Sequence, residues 1–385
     1  MSKIYMDHSA TTPVDPDVAE VMMSTLTSSF GNPSSIHGYG NEARKTVEEA
    51  RKKVAALIGA NSEEIVFTSG GTEADNMAII GTALSYQGRG RHIITSQIEH
   101  HAVLDTFKYL EKQGYEATYL PVNRLGQVDI NHVNKAIRED TILVSIMHAN
   151  NEIGTMQAIE EIGEITREKG IVFHTDAVQS VGRIPVNVKS LNVDLLSLSA
   201  HKFYGPKGIG ALYIRSGIKP APLLHGGGQE RNWRSGTENV PGIVGMGKAA
   251  EMSLELMPQR SLHLRELGHY LTRRIIQEIP HAYLTGHPED RLPGHVSLVF
   301  LGVEGASMLI FLDSEGIAVS GGSACTSNSF DPSHVLTALG LTKEAAHSSL
   351  RVTVGKDNTY ADINQLMAVL PGIIERQRLM WNLVN

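Results

Sequence analysis

Between residues 14 and 255 the chain repeats one pattern, in which a short apolar, β-branched run is followed by a stretch with helical spacing and then by another run. The runs are EIVFTS, RHIITS, EATYLPV, TILVSIM, GIVFHTD, VDLLSLSA and GIGALYI. Strands with one wet face alternate apolar and polar residues, whereas runs this continuously apolar predict strands covered on both sides. Strands separated by helices need crossover connections. The pattern therefore predicts an α/β fold whose large domain is built on a mainly parallel seven-stranded sheet.

The rhythm changes after KAAEMSLELMPQRSLHLRELGHYLTRRIIQEI, which reads as a long helix with a break or kink at Pro258. Beyond it come a strand in GHVSLVFL, a helix around GASMLIFLDSEG, a helix around SHVLTALG, a strand in SSLRVTVG and a final helix from Tyr360. We place the large α/β domain at residues 14–255. Residues 1–13 and 256–385 form a smaller α+β domain. No repeat or long linker separates the two, so they should pack closely, with the ligand site in the cleft between them.

Composition narrows the function. A net charge of −7, with RKK at Arg51 to Lys53 as the longest basic run, argues against nucleic acid as a direct partner. The start MSKIYMDHSATTP has no apolar leader, and no uncharged stretch reaches membrane-spanning length, so a cytoplasmic protein is expected. A single cysteine excludes an intrachain disulfide and any all-cysteine metal site within one chain. That cysteine, Cys325, sits in SGGSACTSNS, among residues that favour a solvated loop over a core. It is either a lone surface thiol or a placed nucleophile.

Three segments carry candidate chemistry. In IVFTSGGTEADN a strand runs through Gly70, Gly71 and Thr72 into a helix expected to begin near Glu73, which makes either a phosphate cradle or a plain glycine turn. GIVFHTDAVQS puts Asp176 and Gln179 just after a strand, where the aspartate is a helix cap or the partner of a buried cation. In VDLLSLSAHKFYGPKG, Ser199, His201 and Lys202 follow a strand, and Lys202 either snorkels to solvent or becomes a desolvated amine. Taken together, a phosphate cradle, an aspartate and a lysine at neighbouring strand ends are the three fixed points that pyridoxal phosphate needs.

At this point the chain resembles a known family. DHSATTP, FGNPSS, FTSGGTEADN, SIMHANNEIGT, HTDAVQS, SAHKFYGPKG, HGGGQERNWRSGT and SGGSACTS are similar, in order and from end to end, to the cysteine desulfurases of the class V aminotransferase group that serve iron–sulfur cluster assembly. The resemblance implies fold type I of the pyridoxal-phosphate-dependent transferases and conversion of L-cysteine to L-alanine, with sulfur captured on Cys325 as a persulfide. From there it would pass to an acceptor or iron–sulfur scaffold protein, or to tRNA thiolation. Lys202 would bind the cofactor's aldehyde and later carry protons; Asp176 would face the pyridine nitrogen and Gln179 the phenolic oxygen.

The remaining roles are implied in the same way. His100 would lie over the ring, although His100 and His101 as an exposed or metal-binding pair is the other reading of those residues. No metal is expected. Gly71, Thr72, Ser199 and His201 would hold the phosphate, completed by Thr237 from the partner subunit of a homodimer. Asn151 would touch the phenolic oxygen and the substrate, and Arg351 would clamp the substrate carboxylate, with Arg234 as the alternative. One departure is Gly321, where members of the family often carry serine before the glycine. The chain also stops at RQRLMWNLVN, without the longer tail some members direct toward a scaffold. A selenocysteine lyase, another lyase of the same fold and a non-catalytic scaffold are the rival readings.

Overall fold

The computed structural model describes residues 3–322 and 332–384, so Cys325 lies outside the described residues. Strand β1 (Ile4–Tyr5) is followed by helices α1 (Pro16–Ser28) and α2 (Gly38–Leu57). The seven apolar runs then form β2 (Ile65–Thr68), β3 (His92–Ser96), β4 (Glu116–Leu120), β5 (Thr141–Ser145), β6 (Val172–Asp176), β7 (Leu195–Ser199) and β8 (Gly210–Ile214). Between them lie α3 (Gly71–Tyr86), α4 (His101–Lys112), α5 (Ile130–Ala136) and α6 (Ile159–Glu168). All seven runs join one sheet in the order β2-β8-β7-β6-β5-β3-β4. Only β8 runs antiparallel to its neighbours.

The two-residue period of a strand decides where the apolar atoms go. Phe67, Ile94, Val144, Phe173 and Leu196 enter a core on one face, with α2, α6 and the start of the long helix. Their neighbours Val66, Ile93, Leu143, Val172 and Leu195 enter the other, under α3 and α4. Six of the seven strands are thus dry on both sides, and only the edge strand β4 is partly exposed along its length. The polar groups of the inner strands can reach water only at the strand ends.

The long helix α7 (Val240–Glu278) runs unbroken across Pro258, and the expected break there is not found. A proline inside a helix removes one hydrogen bond, to the carbonyl four residues earlier, here that of Leu254. Leu254 is exposed, so water can take that acceptor, while apolar contacts at both ends hold the helix in one piece. Val240, Ile243 and Met246 belong to the first core, whereas Leu264, Leu267, Leu271 and Ile275 belong to a separate core in the C-terminal part. That second core is formed with β9 (Ala282–Leu284), β10 (His295–Phe300), α8 (Gly305–Ser314), β11 (Ile317–Ala318), β12 (Ser349–Thr353) and α11 (Tyr360–Val384), where α9 (His334–Ala338) and α10 (Lys343–His347) precede β12. β12, β10 and β9 make an antiparallel sheet, and β1 pairs with β11. The chain's first strand therefore belongs to the small unit. Residues 7–12 cross from it to the large sheet. Among the described residues no helix is long and apolar enough to cross a membrane.

Candidate active site

The parallel strands all end on one edge, and the segments that leave them there surround a cavity of about 290 Å³. Gly71 and Thr72 enter from the β2–α3 turn, His100 from the β3–α4 turn, Asn151 from the segment after β5, Asp176 and Gln179 from the end of β6, and Ser199, His201 and Lys202 from the end of β7. Nine of the ten residues expected at the cofactor thus line one cavity. Ser9, Ala10, Asp75, Met147 and Val178 complete it.

The β2–α3 turn is shaped to receive an anion. Helix α3 begins at Gly71, two residues before the expected start, and its N-cap residue Gly70 has no side chain to bond the first-turn N–H groups. A Cβ on Gly71 would lie 2.7 Å from Cγ2 of Val178, closer than atoms of that kind approach. Glycine here lets the loop after β6 press against the helix start. Glu73, also in the first turn, turns away from the cavity to pair with Arg234 Nε at 2.8 Å.

Opposite the cradle, Lys202 Nζ donates to the Ala10 carbonyl at 2.8 Å and to the Ser9 carbonyl. The same crossing segment receives Gln179, whose Nε2 donates to the Ser9 carbonyl at 3.0 Å, while its Oε1 is buried without a partner among the described residues. His201 Nδ1 meets Thr11 Oγ1 at 3.1 Å. Asp176 is buried, and its Oδ1 accepts the Val178 N–H at 2.9 Å. Burial pushes its carboxyl up to about 6, and Lys202 pulls the other way by favouring the charged form.

His100 caps α4: its Nδ1 accepts the Ala102 N–H at 3.1 Å, which leaves any ring proton on Nε2. Burial first and the Lys202 charge second lower His100 to about 4, so the ring is neutral at neutral pH. His101 diverges from it, toward Asp105 at 3.7 Å and the His334 ring at 4.9 Å. The two histidines do not converge on one point.

Two expected residues stand apart from the cavity. Thr237 is exposed and lies in a separate depression with Ser69, Gly236 and Glu238, and Arg234 lines that depression too. Arg351 is fully buried, with Nη2 donating to Asp7 Oδ1 at 2.8 Å and Nη1 to the Asn151 carbonyl at 2.9 Å. Its Nε has no partner among the described residues. Arg351 thus reaches the cavity wall through Asn151. Sequence reasoning missed Ser9, Ala10 and Asp7. Their motif, DHSATTP, was visible, but the Ser9 and Ala10 carbonyls leave no trace in residue type, and the Asp7 carboxylate meets Arg351 from 344 residues away.

Comparison with known proteins bears on this arrangement. The family model for aminotransferase class-V matches residues 4–366. A cysteine desulfurase IscS of Dictyoglomus turgidum is 55% identical over 376 residues, covering 98% of this chain and 95% of that protein. The solved structure of a NifS-like protein superposes with a TM-score of 0.92 at 40% identity, covering 97% of this chain and 100% of the other. SspA, solved in complex with cysteine, gives a TM-score of 0.83 at 39% identity over 93% of this chain and 100% of its own.

Proposed function

The chain belongs to the aminotransferase class-V family and is a pyridoxal-phosphate-dependent cysteine desulfurase of fold type I, and from that premise we propose how its own residues divide the work. The observation that carries the reading is the single cavity holding Lys202, Asp176, Gln179 and His100 beside the uncapped start of α3. These residues fit the cofactor. The uncapped N–H groups suit a phosphate, the partnerless Gln179 Oε1 would accept from a protonated phenolic oxygen, and Gly71 lets the loop carrying Val178 close against the helix start.

When bound, the cofactor supplies an electron sink for the bonds at the substrate's α carbon. Lys202 is its attachment point and, once displaced, the base and acid that moves a proton at that carbon. Asp176 holds its charge toward the ring nitrogen. His100, neutral and fixed by the Ala102 N–H, would help hold the ring in the cavity and keeps Nε2 as a donor. Arg351 orients Asn151 and offers the N–H of its partnerless Nε to the substrate carboxylate. The Cys325 thiolate attacks the sulfur of cysteine: a sulfur–sulfur bond forms, the carbon–sulfur bond breaks, and a proton completes alanine. Cysteine plus thiol thereby become alanine plus persulfide, with no outside oxidant.

The persulfide supplies an acceptor or iron–sulfur scaffold protein, in a cytoplasmic setting that suits a free thiol. Thr237, exposed and outside its own chain's cavity, serves the phosphate site of a second copy, so the working form is a homodimer. With residues 14–255 as the large unit and the remainder as the small one, we take the substrate to sit between the large sheet and the small unit.

The test uses cysteine as substrate with alanine as readout. Borohydride should fix the bound cofactor to the peptide containing Lys202, and Cys325→Ser should keep cofactor and spectral response to cysteine yet form no alanine. Attachment at Lys207, or near-normal turnover by Cys325→Ser, would overturn the assignment.

A further inference from the structure

Asp75 is a buried acid with no role in the reaction as described. It stands on α3, is 1% exposed and lines the cavity beside Asp176. Its Oδ1 has no hydrogen-bond partner among the described residues. Around it, β6 presents His174 and Asp176, β7 presents Ser197, the β3–α4 turn presents Glu99 and His100, and Lys202 faces it across the cavity.

These groups cannot hold Asp75 as an anion. His174 Nε2 lies 3.5 Å from Oδ1, but both ring nitrogens are engaged, Nδ1 with Ser145 Oγ at 2.8 Å and Nε2 with Ser197 Oγ at 2.9 Å. Burial lowers His174 to about 3, so it brings no positive charge. Lys202 favours the charged form of Asp176, which also has the Val178 N–H. Glu99 uses one oxygen to accept from Ser96 Oγ and the Met147 N–H, and burial pushes it up to about 8. Adjacent buried carboxyls repel when both are ionised, and the one without a cation keeps its proton. Burial, then the Asp176 charge, raises Asp75 well above the ordinary aspartate range, and a hydrogen bond with Ser197, which pulls the other way, does not offset them.

We infer that Asp75 is a positioning residue that retains its proton, joins the Ser145–His174–Ser197 hydrogen-bond ladder under the cavity, and so leaves the negative charge of the floor on Asp176. The inference rests on the reading of Asp176 as the residue facing the cofactor's ring nitrogen. Asparagine at position 75 matches a protonated aspartate in shape and charge, whereas alanine removes its link to the ladder and opens the floor to water.

Infrared difference spectra between the wild type and Asp75→Asn, taken on the cofactor-free protein above neutral pH, should show a protonated-carboxyl stretch present only in the wild type. On the loaded protein, Asp75→Asn should keep the pH midpoint of the visible cofactor band and the pyridoxal phosphate dissociation constant, whereas Asp75→Ala should raise that constant about tenfold and move the midpoint. Absence of the infrared band, a midpoint shift of about one unit in Asp75→Asn, or equal behaviour of the alanine and asparagine variants would overturn the inference. If Asp176→Asn retained normal cofactor affinity, the reading of the cavity would fail instead. The infrared band would still decide the protonation state of Asp75.

Discussion

Replacing Glu230 by alanine tests whether a buried ion pair holds the segment that leads to Thr237. The Glu230 carboxylate accepts from Arg51 Nη1 and Nη2, both at 2.7 Å, and from the Phe67 N–H at 2.8 Å. The two side chains are 2% and 3% exposed, and the Arg51 guanidinium lies 4.6 Å from the Phe67 ring centroid. Glu230 also begins three consecutive residues in the left-handed region, with φ of 46°, 56° and 68° at Glu230, Arg231 and Asn232. Each costs roughly 1 kcal/mol or more outside glycine, so this turn persists only while its surroundings enforce it.

Removing the carboxylate leaves the buried guanidinium with only the half-exposed Glu48 carboxylate and the Ile65 carbonyl, each at 3.0 Å, and strands the Phe67 N–H on β2; breaking a buried pair in this way costs about 3–5 kcal/mol. Glu230→Ala should therefore lower the unfolding free energy by that amount, seen as a lower guanidinium chloride midpoint at unchanged slope. The double variant Arg51→Met/Glu230→Ala should recover at least about 2 kcal/mol of the sum of the singles, since no stranded charge remains. A loss under about 1 kcal/mol for Glu230→Ala, or strict additivity of the pair, would refute the argument. Because the same turn leads to Thr237, the variant should also release cofactor faster than the wild type does, as the proposed role of Thr237 in a second copy's phosphate site requires.

Arg351→Ala should lower kcat/KM for cysteine by well over tenfold and also lower stability by about 3–5 kcal/mol, because it unpairs Asp7 and frees the Asn151 carbonyl. Normal steady-state kinetics with reduced stability would confine Arg351 to holding the fold. Glu99 gives a pH signature: burial pushes its carboxyl from 4.5 to about 8, so between those values the native state keeps a proton that the unfolded chain has lost. Stability from this group is full below about pH 4.5 and is lost as pH rises toward 8. Glu99→Gln has no such proton, so unfolding midpoints should move in favour of the variant on alkalinisation; parallel curves would contradict the assignment.

The large sheet was legible because six of its seven strands are buried on both faces, which leaves a continuous apolar signature in those runs. Strands of two or three residues leave none. Ile4–Tyr5 and Ile317–Ala318 pair across almost the whole chain, and Ala282–Leu284 is an edge too short to show a period. At Pro258 local chemistry allows a break or a kink, and the two cores gripping α7 exclude the break.

In the cavity, Lys202, Asp176 and His100 were readable because their side chains act. The Ser9 and Ala10 carbonyls that hold Lys202 act through backbone, and Asp75 looked like one polar residue on a helix until the fold buried it beside Asp176.

The continuity of α7 has a mechanical consequence. At about 1.5 Å per residue its 39 residues make a rod of nearly 60 Å, and residue 255 falls inside it. Bending such a rod away from Pro258 breaks hydrogen bonds, so α7 resists a swing of one core about the other, and the thinner crossing at residues 7–12 is the more compliant link. Cutting the chain at the boundary would strip each half of the helix that closes its core. The two parts are distinct as architecture, yet they should melt, fold and be inherited as one body.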